Sequence, residues 1–327
     1  MPAAPAVYTE RMAESAKYGR TALKQSLLAG AISICMAAGW AGAQNAEDPK
    51  PAPHRQYLGF DRNDYPGDAA LPSLRRNFRF TSYWLNAPPG EAASSWTGKR
   101  EILRRHGFGF LVLFNGRTDA ELKTAAQNGQ GASTLGDADG RAAADAARRE
   151  GFPKNVLIFL DQEEGGRLLA EQVAYLFAWA DAVSAAGARA GVYCSAIEVP
   201  EGNETISTAK DILNREMVRM FVKDTMHQGP PARFLVLWVA NDQCPPAPGC
   251  TLAAPPLENF ASILPQVEGA SVWQYAQSPR RKQFSAACPA NQAADGNCYA
   301  PGVPAEAKIF LDLDVADSPD PSAAPEK

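Results

Sequence analysis

Short apolar runs recur along the chain, separated by turn residues and by charged stretches with helical periodicity. Eight runs have the length and composition of strands: 57–62, 80–85, 109–115, 156–161, 188–195, 234–241, 271–276 and 308–314. Several are apolar at almost every position, as strands buried on both faces must be. The strongest helical pattern is Leu168–Ala186. There Leu169, Val173, Leu176, Phe177, Ala180 and Val183 share one face, and Gly187 follows as a C-cap. Weaker patterns cover Trp96–His106, Arg141–Glu150, Thr208–His227 and Leu257–Leu264. Strands alternating with helices predict right-handed βαβ units and a parallel sheet. Eight strands within residues 57–317 predict one α/β domain, a closed (β/α)8 TIM-type barrel, irregular in its last βα units. An open doubly wound sheet is the alternative. Neither GxGxxG nor GxxxxGK[ST] follows a strand to give such a sheet a nucleotide site.

Composition narrows the class. Of 327 residues 46% are hydrophobic and 21% charged, which excludes global disorder. Lys+Arg number 32 against 36 Asp+Glu, a net charge of −4, so no nucleic-acid partner is expected. The N-terminus has the order of a secretory signal. Arg20 and Lys24 precede an apolar run from Leu27 to Ala41, and Ala41-Gly42-Ala43 forms a small-x-small cleavage site. A signal peptide over 1–43 predicts a secreted or periplasmic protein with no membrane contact after cleavage; an uncleaved anchor is the alternative. Residues 44–56, polar and Pro-rich, read as a linker, and 318–327 as a disordered tail. An oxidising compartment favours two local disulfides, Cys244–Cys250 and Cys288–Cys298, each across a short loop. Cys194, in an apolar run, reads as a buried free thiol. With no CxxC, and His54, His106 and His227 far from ligand spacing, no metal and no cofactor is expected.

The candidate chemistry lies where apolar runs meet polar residues. In a barrel those are the places where catalytic groups sit. The first run ends on Asp61, the fourth on Asp161-Gln162-Glu163-Glu164, and the eighth on Asp312-Leu313-Asp314. Asp161 and Glu163, two apart, share one face of a strand, while Glu164 turns aside. Two adjacent carboxylates do not ionise independently, and the raised pKa of one suits a general acid. Glycosidases protonate a leaving oxygen in this way. Helix capping or a solvated rim is the competing role for such acids. Tyr83, Trp84, Tyr193, Trp238, Trp273 and Tyr275 lie in or at the ends of runs, where rings either stack on sugar faces or fill a barrel. A Ser/His/Asp hydrolase is disfavoured by the absence of GxSxG and of His at a strand end.

The run Gly59-Phe60-Asp61-Arg62-Asn63-Asp64-Tyr65-Pro66-Gly67 resembles the opening strand and loop of family 25 glycoside hydrolases, the lysozyme-like muramidases. It is most similar to their secreted bacterial "glycoside hydrolase-like" relatives. Asp161-Gln162-Glu163 resembles the family's DxE. Gly191–Ser195, Leu237–Ala240, Trp273-Gln274-Tyr275 and Leu311-Asp312-Leu313 are similar to its later strands, in the same order. The resemblance implies a barrel that acts on or binds an amino-sugar polymer such as peptidoglycan, with no cofactor, as a monomer. It implies Glu163 as general acid, with Asp161 orienting substrate or stabilising positive charge, and Asp61 and Asp312 completing an acidic cleft. Three features depart from the family: Asn241-Asp242 in place of an aromatic, a Cys-flanked loop between Tyr275 and Asp312, and Arg62-Asn63 after the first Asp. They keep open a non-catalytic carbohydrate-binding or cell-envelope domain on the same barrel.

Overall fold

The computed structural model describes residues 56–225, 235–244, 269–276 and 311–324, with residues 267 and 309. The expected signal peptide, nearly all of the linker, the Leu257–Leu264 helix and the side chains of both expected disulfides lie outside the described residues. The strands are β1 (Tyr57–Asp61), β2 (Phe80–Trp84), β3 (Gly109–Asn115), β4 (Leu157–Gln162), β5 (Arg189–Ser195), β6 (Val199–Glu201), β7 (Glu204–Ile206), β8 (Val236–Cys244), β9 (Ala270–Ala276) and β10 (Asp312–Ala316). All but β6 and β7 close into one barrel, in the order β1-β10-β9-β8-β5-β4-β3-β2. β6 and β7 form a separate hairpin after β5, which the sequence pattern did not predict.

Helices alternate with the strands as expected. They are α1 (Leu71–Asn77), α2 (Arg100–Arg105), α3 (Asp119–Gln127), α4 (Ala132–Arg149), α5 (Ala170–Ala185) and α6 (Thr208–Thr225). α3 starts at a capping box in which Thr118 and Glu121 satisfy each other's backbone N–H groups. Gly187, just past α5, has the left-handed φ of 88° that its C-cap role requires. α4 lies so close to α5 that a Cβ at Gly136 would come within 2.2 Å of the Tyr175 carbonyl oxygen. No described helix is long and apolar enough to cross a membrane.

The expected parallel sheet needs one correction. The barrel strands from β1 through β9 pair in parallel, but β10 runs antiparallel to both its neighbours, β9 and β1. The eighth strand also starts at Asp312 rather than Lys308. An antiparallel strand needs no crossover helix before it, so the β9–β10 connection is free of that constraint. Asp312 therefore begins its strand instead of ending it. It still lies beside Asp61, because the register pairs Asp61 with Asp312 and Gly59 with Asp314.

The reversed strand also carries the chain to the N-terminal end of the barrel, and there residues 318–324 of the expected disordered tail are instead docked. Asp320 Oδ1 accepts the Phe110 N–H at 2.9 Å, and Ser322 Oγ accepts the Val112 N–H at 2.9 Å. The Ser322 N–H donates to the Phe110 carbonyl at 3.0 Å, and the Ser322 carbonyl accepts the Leu157 N–H at 2.9 Å. β3 and β4 pair only from Val112 and Ile158 onward, so the tail supplies the bonds their first residues lack. Composition suggested disorder because the segment is small and polar. Those polar groups match backbone donors that the barrel leaves open.

Candidate active site

The opposite end of the barrel gathers carboxyl groups. Asp61 ends β1, and Asp312 lies directly across from it. Asp314, two residues on, shares the Asp312 face. Asp161 lies near the end of β4, next to Tyr193 of β5, and Tyr193 in turn lies next to Trp238 of β8. Gln274 of β9 lies across from Asp314. Asp61, Asp161, Asp312, Asp314 and Gln274 are all buried, Asp314 completely. Glu163, just beyond β4, is exposed to solvent.

Hydrogen bonds tie the cluster together. The Tyr193 hydroxyl donates to Gln274 Oε1 at 2.9 Å, and Gln274 Nε2 donates to Asp61 Oδ2 at 2.8 Å. Trp238 Nε1 donates to Asp314 Oδ1 at 3.0 Å. Asp161 Oδ1 and Asp314 Oδ2 are each buried without a hydrogen-bond partner. A buried polar atom left in that state is costly.

The electrostatics follow from this crowding. Burial, then Glu163, then Asp61 push the Asp161 carboxyl well above the ordinary carboxylate range. Burial and the neighbouring Asp61 and Asp312 push Asp314 up as well, opposed by the Trp238 N–H. Burial raises the Tyr193 phenol, and Asp61, Asp161, Asp312 and Glu163 all add to the effect. The four carboxyl groups expected from the sequence thus converge around one phenol. Such a cluster carries fewer charges than it has carboxyl groups, and the retained protons are available for donation.

The six expected aromatic contacts fare less well. Tyr193 reaches the cleft. Trp238 is buried against Phe159 and Tyr193, with centroid distances of 5.7 and 4.7 Å, so it offers no free face to a sugar. Trp84 is buried and donates to the Arg62 carbonyl at 2.9 Å, bracing the backbone beside Asp61. Tyr83 points away from the cleft; it packs on Trp96, Phe110 and Phe152 and donates to Glu150. Tyr275 is buried, and burial and Asp314 raise its phenol; Trp273 is half-buried. Rings in apolar strands fill space between layers, and that is the role of Tyr83, Trp84 and Trp238. Glu164 also turns aside as expected: it accepts the Asp119 N–H at the start of α3, at 3.0 Å, and the Gln172 amide. Cys194 is a buried free thiol, pushed up to about 12 by burial, and inert as a nucleophile.

Two members of the site were not singled out from the sequence. Asp314 was visible in the Asp-Leu-Asp alternation, which places it on the Asp312 face. Gln274 does not titrate, and only the β9–β10 register reveals it.

Residues 94–234 match the family model described as "Rv2525c-like, glycoside hydrolase-like domain", the group that the motifs resemble. The matched segment contains Asp161, Glu163 and Tyr193. No curated protein matches. Among solved structures, an uncharacterized B. stearothermophilus protein is 20% identical with a TM-score of 0.47, over 80% of this chain and 95% of that one. The Tat-secreted protein Rv2525c of Mycobacterium tuberculosis is 14% identical with a TM-score of 0.40, over 79% and 93%. A family 25 glycosyl hydrolase from Bacillus anthracis is 12% identical with a TM-score of 0.38, over 80% and 88%.

Proposed function

We propose that this protein is an exported glycoside hydrolase that cleaves amino-sugar polymers of the peptidoglycan type. The reading is carried by the convergence of Asp61, Asp161, Glu163 and Asp312 around Tyr193, with Asp161 buried and its Oδ1 lacking a partner. The glycoside hydrolase-like description of the matching family model agrees with it.

Glu163, at the mouth of the cleft, is the general acid that protonates the glycosidic oxygen. Burial and the adjacent Glu163 raise the Asp161 carboxyl, so Asp161 carries a proton in the free protein. A polymer laid over the cleft excludes water from Glu163 and raises its proton affinity, which readies it for donation. Asp161 receives an N–H of the substrate on Oδ1 and, once ionised, steadies positive charge at the anomeric centre. Asp61 and Asp312 supply the remaining negative potential for an oxocarbenium-like transition state.

Release of new reducing ends from peptidoglycan and chitin-type polymers tests the proposal. Glu163→Gln is expected to keep the fold and glycan binding while lowering turnover by roughly 10²–10⁴. Asp161→Asn also lowers turnover. Glu164→Gln leaves it unchanged, because that side chain serves α3. Full activity in Glu163→Gln defeats the mechanism. A wild type that binds but never cleaves indicates a carbohydrate-binding domain, a reading that the burial of Trp238 and the outward direction of Tyr83 make the weaker one.

A further inference from the structure

Among the described residues Gln274 is the buried uncharged amide that hydrogen-bonds within the carboxyl cluster, and no catalytic role accounts for it. It is 2% exposed, and its two amide atoms are committed in opposite directions. Oε1 accepts the Tyr193 hydroxyl at 2.9 Å, and Nε2 donates to Asp61 Oδ2 at 2.8 Å. The reverse orientation of the amide sets Oε1 against a carboxylate oxygen, acceptor against acceptor. The Tyr193 proton and the Asp61 carboxylate therefore both select the same orientation.

That arrangement matters because Asp61 faces acids from several elements. Asp312 and Asp314 approach from β10, and Asp161 from β4 with Glu163 just beyond it. The Tyr193 phenol faces it from β5. In such company a buried carboxyl group takes up a proton unless a donor favours its charged form. Gln274 is a donor of that kind on Asp61. On the neighbouring Asp314, Trp238 Nε1 donates to Oδ1 at 3.0 Å.

We propose that Gln274, clamped by Tyr193, is the positioning residue of the cleft: it fixes the Asp61 carboxylate in place and holds it in its ionised, acceptor-only form beside Asp314. This deepens the hydrolase reading and rests on it only for the consequence in catalysis. The cluster then divides its labour. Asp61 supplies fixed negative charge, while Asp161 and Glu163 exchange the working proton.

Carboxyl-carbon NMR titration of the full chain, with Asp61 assigned by its loss in Asp61→Asn, reads the proposal without needing turnover. In wild type, Asp61 should titrate below Asp314. Gln274→Met keeps the bulk but removes the donor, and should move the Asp61 midpoint up by about one pH unit, a tenfold change in proton affinity. Tyr193→Phe frees the amide to turn and should move it the same way by less; it also serves if Gln274→Met does not fold. An Asp61 midpoint that stays put in either folded variant overturns the proposal. With an active wild type, the acidic limb of the kcat/KM profile should shift upward in parallel, and a limb that does not move also overturns it. A wild type without turnover removes the hydrolase reading, and the titration still decides the role of Gln274.

Discussion

The two ends of the barrel solve opposite problems with similar residue types. At the N-terminal end the segment 318–324 lays Asp320 and Ser322 against backbone N–H groups of β3 and β4, and the polar groups there find partners. At the other end, Asp61, Asp161, Asp312 and Asp314 are buried together, and Asp161 Oδ1 has no hydrogen-bond partner. One end uses polar atoms to complete a sheet, which stabilises it. The other crowds like groups, which costs stability and creates shifted pKa values. A barrel enzyme is expected to divide along this line, with stability at one face and chemistry at the other.

Deleting residues 318–327 should have the largest effect on this contrast. It strips acceptors from the Phe110, Val112 and Leu157 N–H groups, and each buried donor left unpaired costs about 1–3 kcal/mol. A loss of about 3–9 kcal/mol is expected in denaturant unfolding. An unchanged midpoint would show that the tail is dispensable. Gly109→Ala probes the same contact more gently, since its Cβ would fall 2.1 Å from the Pro319 carbonyl oxygen. A cost of about 1–3 kcal/mol is expected, with the Asp61 and Asp161 titrations unaltered. If those titrations move, the two ends are not independent.

The smallest effect is expected at the crowded end and has the opposite sign. Asp314→Asn keeps an acceptor for Trp238 and removes a carboxyl group whose pKa is raised in the folded state. A raised acid is harmless below the ordinary carboxylate range and costs stability as pH rises from there through its folded value. The variant should therefore match wild type near pH 3 and exceed it at pH 7. A gain of about 2–4 °C in Tm corresponds to roughly 1 kcal/mol for a domain of this size. Thermal melts across that range check it; a lower Tm at pH 7 would mean that the Asp314 charge is stabilising.

Several features were legible in the residues alone. Continuous apolar runs identified the strands, because a strand buried on both faces has no polar alternation. The acids at Asp61, Asp161 and Glu163 stood out because charge directly after a buried run has few structural uses. Gly187 marked the end of α5. Other features depended on partners distant in sequence. The direction of β10 is set by which edge closes the barrel, and no local pattern encodes it. That reversal turned Asp312 from a strand end into a strand start, and it brought the C-terminal segment to the barrel floor. Tyr83 and Trp238 read alike as sequence, yet alternation sends one toward the helices and the other into the barrel. Gln274 gained its role only from the register that sets it between Tyr193 and Asp61. Local chemistry determined which residues were capable of acting, and the long-range pairing of strands decided which of them meet.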